Sequence, residues 1–125
     1  MEYGRWNMGR IENFTQLEVW QFAHTLTLDV YKFTATLPNE EKYGLVSQMR
    51  RSAVSVPANI AEGFKRKGQK DKAHFYNVAQ SSLEELRYYF ILVNDLGFKI
   101  DIREQNEKID RIGRMLSGLI KSVKI

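Results

Sequence analysis

The sequence contains no cysteine and only two prolines. Without cysteine, a disulfide framework, a zinc–thiolate or iron–sulfur site and a cysteine nucleophile are all excluded. The absence fits a reducing compartment. Long hydrophobic runs are also missing, and the apolar stretches fall far short of the roughly 20 residues that cross a bilayer. The first ten residues carry Glu2, Arg5 and Arg10 and lack the apolar centre of a signal peptide. Together these absences lead us to expect a cytoplasmic protein with no membrane partner. No useful period-two alternation, low-complexity segment or internal repeat is present.

What is present is enough for one domain. A chain of 125 residues buries roughly two thirds of the surface its unfolded form exposes, so it needs no covalent or metal staple. The formal net charge is +4 and it is unevenly spread. From Lys42 to His74 there are eight basic residues against two acids, a block of +6, which leaves −2 for the remainder. Concentrated positive charge is the pattern expected when the partner is a polyanion.

Apolar periodicity predicts four helices. The first spans about Leu17 to Leu37 on Val19, Ala23, Leu26, Val30, Phe33 and Leu37, spaced by threes and fours. Thr15 and Glu18 form its expected capping box, and Pro38 closes it. The second begins near Glu40 or Tyr43 and runs to Lys67 on Leu45, Met49, Ala53, Val56, Ile60 and Phe64. Pro57 lies inside it and is expected to kink or split it, with Gly68 as the C-terminal cap. The third covers Asp71 to Leu96 on Phe75, Ala79, Ser82, Leu86, Tyr89, Val93 and Leu96, with Gly97 as the stop. The fourth starts at Asp101, with Glu104 completing a second capping box. It continues through Ile109, Ile112, Leu116, Leu119 and Val123. Short connections make neighbouring helices antiparallel. The expected fold is an all-α, antiparallel up-down four-helix bundle over residues 14–125, preceded by a flexible arm over 1–13.

Enzyme chemistry finds no constellation. His24 and His74 fall on different helices, and only His74 has a carboxylate three residues before it, Asp71. A di-metal bundle needs that motif twice, with glutamate. Glu84 and Glu85 are adjacent, so they point about 100° apart and cannot share a proton; Glu84 is placed to pair with Arg87 or Tyr88. Gly63 and Gly68 lack the Lys-Ser/Thr of a phosphate loop. The expectation is no catalytic residue, no metal and no cofactor.

The second helix is the unusual element. Arg51, Ser55, Asn59, Glu62 and Arg66 step by fours and threes as a polar stripe beside the apolar one. One reading is a polar interface or ligand-facing surface. The other is structural: Asn59 satisfies backbone groups disturbed by Pro57, and Glu62 pairs with Arg66. The run Lys65, Arg66, Lys67, Lys70, Lys72 is followed by His74, Phe75 and Tyr76. Cations hold phosphates and rings stack on bases, which suits nucleic acid. Cations at a helix C-terminus also suit the macrodipole. Trp20, Phe22, Tyr31, Tyr76, Tyr88 and Phe90 exceed what the apolar stripes can absorb, which suggests self-association.

The segment Gln48-Met49-Arg50-Arg51-Ser52-Ala53-Val54-Ser55-Val56-Pro57-Ala58-Asn59-Ile60-Ala61-Glu62-Gly63 resembles the hallmark of the four-helix bundle family encoded in intervening sequences of bacterial 23S ribosomal RNA genes. Ala79-Gln80-Ser81-Ser82-Leu83-Glu84-Glu85-Leu86 is similar to that family's third-helix motif, with Ser81 where many relatives have glycine. The likeness covers the chain from about Leu17 onward. It implies an up-down bundle without enzymatic activity, and a ring-shaped homopentamer. It marks Ser55, Pro57, Asn59, Glu62 and Gly63 as motif positions, structural or interfacial. A related branch serves diversity-generating retroelements, where a basic pentamer binds a reverse transcriptase and its RNA. The resemblance implies that role for Arg50, Arg51, Lys65, Arg66 and Lys67, to which the basic run adds Lys70 and Lys72. The expectation is an oligomeric bundle that binds RNA or a nucleoprotein, with a reverse transcriptase as one partner. The alternative is a protein–protein adaptor whose charges only keep it soluble.

Overall fold

The computed structural model describes residues 11–123. Among them are four α-helices and no strand: α1 (Glu18–Thr34), α2 (Ser47–Lys65), α3 (Gln69–Asp95) and α4 (Ile102–Ser122). Their apolar stripes meet in one core in which Val30, Met49, Ile60, Leu86, Ile109 and Leu116 are wholly buried. Each such side chain contributes about 1.5–3 kcal/mol of burial energy. α2 packs most extensively on α3, α1 on α2, and α4 on α3 and more lightly on α1.

The start of α1 differs from the expected capping box. Asn13 caps a 3-10 turn over Phe14–Gln16, accepting from the Thr15 amide at 2.9 Å. Gln16 Oε1 accepts from the Asn13 amide at 2.9 Å. The Thr15 hydroxyl turns to Asn13 Oδ1, and α1 begins after Leu17 with no side-chain cap. The extended backbone at Leu17 (φ −72°, ψ 125°) separates turn from helix, so the capping pair sits two residues earlier than Thr15 and Glu18. Of the arm expected over 1–13, residues 1–10 lie outside the described residues. α1 ends at Thr34, where Thr36 and Leu37 close tighter turns onto Phe33 and Thr34.

Helical backbone precedes α2, as a 3-10 turn over Asn39–Glu41 and a π-helical stretch over Lys42–Val46. Pro57 is buried but does not split α2, which runs unbroken from Ser47 to Lys65. A proline lacks the amide that would serve the carbonyl four residues back, here that of Ala53. The Thr27 hydroxyl of α1 reaches that oxygen at 3.1 Å while also bonding the Ala23 carbonyl at 2.9 Å. Asn59, expected in this role, donates instead to the Ser55 carbonyl at 2.8 Å.

Gly68 is not the cap of α2. Its backbone is extended (φ −78°, ψ 140°) and it precedes the first residue of α3. The end of α2 is closed by Lys72, whose ammonium donates to the carbonyls of Phe64 at 2.8 Å and Gly63 at 3.3 Å. Gly97 does stop α3: its φ is +94°, and the Phe98 and Gly97 amides return to Val93 and Asn94 at 3.0 and 3.1 Å, a Schellman closure. Asp101 caps α4 by accepting from the Glu104 amide at 3.0 Å. The Glu104 carboxylate does not return to Asp101; it pairs with Lys108 at 3.0 Å.

The α3 stripe is only half as expected. Ala79, Ser82, Leu86 and Val93 are buried, but Phe75 and Tyr89 are half-buried and Leu96 is 56% exposed. Tyr76, Leu83 and Phe90 are buried in addition. α3 contacts both α2 and α4, so its buried face is wider than one seam.

Candidate nucleic-acid interface

The seven cations expected to bind nucleic acid fall into two groups. Three are occupied inside the molecule. Arg50 Nε donates to Thr34 Oγ1 at 2.8 Å, its NH2 reaches the Tyr31 carbonyl at 3.3 Å, and its guanidinium lies 4.4 Å from the Tyr31 ring centre. Arg50 thus closes the C-terminus of α1, where positive charge is favoured. Lys72 closes α2 as described. Arg66 pairs with Glu62 at 2.9 Å and covers the Phe75 ring at 4.6 Å.

The other four, Arg51, Lys65, Lys67 and Lys70, are exposed and make no hydrogen bond or ion pair among the described residues. Lys65, Lys67 and Lys70 gather at the corner where α2 passes into α3. Arg51 lies apart from them, about 20 Å back along α2. The aromatic part of the basic run is engaged as well. Phe75 lies under Arg66 with the His74 ring edge-on at 5.1 Å, and Tyr76 is buried. The corner can therefore hold phosphates, and of the three rings that follow the basic run only that of His74 remains exposed.

The motif positions build the contact between α2 and α3. Ser55 Oγ meets Ser82 Oγ at 2.7 Å, and Asn59 Nδ2 donates to Ser55 Oγ at 2.9 Å. A Cβ on Gly63 would stand 2.6 Å from Tyr76 Cε1, so only glycine lets the tyrosine ring lie against α2. Burial raises the Tyr76 phenol above its ordinary pKa. Pro57 is buried in the same helix. Glu62 does not join the seam; it pairs with Arg66 at the surface.

One more cationic segment lies beside the corner. Residues 111–125 contain Arg111, Arg114, Lys121 and Lys124 and no acid. Val123, just past α4, packs on Ala73 and Tyr76 near the start of α3. Fold closure thus carries the end of α4 to the same end of the bundle as Lys65, Lys67 and Lys70. Arg114 and Lys121 are exposed and unpaired among the described residues. A charge count along the whole chain shows this segment; only the fold shows its neighbour.

The lighter α1–α4 contact is held by Lys108, which reaches Asp29 at 2.7 Å. That hydrogen bond holds the ammonium above its usual pKa against burial, with Glu104 adding to it. Beside it opens a cleft of about 340 Å³ lined by Phe22, Leu26, Ile112 and charged rim residues, with Arg111 over the Phe22 ring at 4.3 Å. Among the described residues, no cluster of three or more His, Asp or Glu is placed to hold a metal. No helix among them is long and apolar enough to cross a membrane.

The sequence model for the family described as 23S rRNA-intervening sequence protein matches residues 15–118. No curated protein matches the sequence. Among solved structures, the chain is similar to a crystal structure of a protein of unknown function from the S23 ribosomal protein family of Bacteroides thetaiotaomicron. The TM-score is 0.76 and the identity 23%, over 82% of this chain and 95% of that one. At that identity the likeness speaks to fold alone.

Proposed function

We propose that this chain, which belongs to the 23S rRNA-intervening sequence protein family, is a non-enzymatic up-down bundle that binds RNA or a ribonucleoprotein through cations at one end. The observation that carries the reading is the α2–α3 corner. Lys65, Lys67 and Lys70 stand exposed there within six residues of chain, with no acid bound to them among the described residues. Three ammonium groups held close by two helix ends form a focused positive potential, which draws in a polyanion.

The proposal includes an antiparallel arrangement. Its support is the pairing of Ser55 with Ser82 and of Gly63 with Tyr76, in which residue numbers rise on α2 as they fall on α3. It also includes assembly into a homo-oligomer, a pentamer as the family resemblance implies, in the cytoplasm. Support for assembly comes from large apolar side chains left in solvent, among them Tyr43, Tyr88, Ile91 and Leu96. In this reading a reverse transcriptase and its RNA are the proposed nucleoprotein partner.

A second reading, an adaptor that binds only protein, is favoured by one observation: Arg50, Arg66 and Lys72 serve the fold itself. A gel-shift experiment separates the two. The wild-type chain retards RNA and the Lys65→Glu/Lys67→Glu/Lys70→Glu variant does not. An adaptor gives no shift with either. Light scattering on the same samples tests assembly, and a monomer at micromolar concentration contradicts it.

A further inference from the structure

We propose that the RNA site does not end at the corner but continues onto α4, where Arg114 and Lys121 hold the sugar–phosphate backbone of a single strand lying in the trough between α3 and α4. The inference rests on the RNA-binding reading above and extends it to residues outside the basic run.

Three observations carry it. First, the packing of Val123 with Ala73 and Tyr76 brings together the ends of the two acid-poor segments of the chain, 42–74 and 111–125. Second, the trough has the right relief. It is an open depression of about 570 Å³ lined by Gln80, Gly113, Arg114, Ser117, Gly118 and Lys121 on its basic part. A Cβ on Gly118 would meet nothing within 4 Å, so no side chain rises between the two cations. Lys121 lies seven residues beyond Arg114, about 10 Å along the axis, so the pair can hold different phosphates of one strand. Third, the trough has an end. Arg87 is held by Asp110 at 2.8 Å and by Glu84 at 3.2 Å, and this trio carries a net negative charge that turns the backbone away.

The chemistry of the lining also fixes the class of ligand. Among the described residues no aromatic ring lines the trough, and Gln80 Nε2 donates to Ser117 Oγ at 3.0 Å. Bases therefore find no stacking face there, and the charges that line the trough hold the backbone rather than read sequence. A strand can bend from the corner into a trough one helix pair wide. A stiff duplex would lie across the corner and miss Arg114.

The test is fluorescence anisotropy with a labelled oligouridine of about 20 nucleotides, longer than the roughly 4–16 of one single-strand site. Affinity is measured against salt for the wild type, for Arg114→Gln/Lys121→Gln and for Lys65→Gln/Lys67→Gln/Lys70→Gln. Each lost phosphate contact flattens the plot of log affinity against log salt by about 0.7 on a single strand. The α4 pair should flatten it by about 1.4, with an unchanged melting temperature. If the α4 pair behaves as wild type while the corner triple flattens, the track is wrong and the corner site stands. If the wild type itself shows no salt-dependent binding, both fall. If a blunt duplex of equal length loses affinity with the α4 pair and oligouridine does not, the single-strand assignment is overturned.

Discussion

The Thr27 hydroxyl on α1 stands 3.1 Å from the Ala53 carbonyl on α2, the oxygen that Pro57 leaves without its helical donor. A side chain 26 residues away in sequence thus shares its one proton between the Ala23 carbonyl of its own helix, at 2.9 Å, and the carbonyl that Pro57 leaves unserved. Both Thr27 and Pro57 are buried, so water cannot take this part.

Thr27→Val keeps the shape and removes the donor, leaving a buried carbonyl short of a partner. It should cost about 1–2 kcal/mol in chemical denaturation. The cost should shrink in a Pro57→Ala background, where the residue 57 amide can serve Ala53 again. Equal costs in the two backgrounds would show that the two sites are not coupled.

Glycine substitutions should divide by location. Gly63→Ala places a Cβ 2.6 Å from Tyr76 Cε1 and should destabilise by about 1–3 kcal/mol, as overpacking does. Gly118→Ala meets open space inside α4 and should stabilise by up to about 1 kcal/mol. Thermal melts of the two variants give opposite signs if the packing is as described.

The cations should divide by role. Arg50→Met and Lys72→Met remove donors to helix-end carbonyls and should each cost about 0.5–1.5 kcal/mol. Lys65→Gln, Lys67→Gln and Lys70→Gln should stay within about 0.5 kcal/mol of wild type. Urea midpoints across the five variants check the division.

Alkaline titration follows from Tyr76. Burial raises its pKa above 10.0 in the folded chain, so the unfolded chain gives up the phenol proton first. The stability is therefore intact below about pH 10 and declines as pH rises above it toward the native value. Lys108 acts in the same direction, its pKa lifted above 10.5 by its hydrogen bond to Asp29, so its contribution is lost as pH rises through the native value. Between pH 8 and 11, Tyr76→Phe should lose less melting temperature than wild type.

Much of this architecture can be read from the chain. Met49, Ala53, Val56 and Ile60 are buried as their spacing demands, and Gly97 ends α3 because its conformation suits no other residue so well. The rest depends on partners distant in sequence. Phe75 fits the third-helix period as well as Tyr76 does, but Gly63 opens room for Tyr76 while Arg66 covers Phe75. Thr27 shows no sign in the sequence that it will meet Ala53. The site is split in the same way. The exposure of Lys65, Lys67 and Lys70 was legible as a charged turn, whereas the duties of Arg50 and Lys72 at helix ends were not. Arg114 and Lys121 join the corner only once Val123 has packed on Ala73.

The measurement that bears most directly on the central claim is the salt dependence of RNA affinity for the intact chain. Three phosphate contacts at Lys65, Lys67 and Lys70 give a log–log slope of about −2 or steeper on single-stranded RNA, and charge reversal at those residues abolishes the binding. A flat dependence, or binding that survives the reversal, contradicts the account.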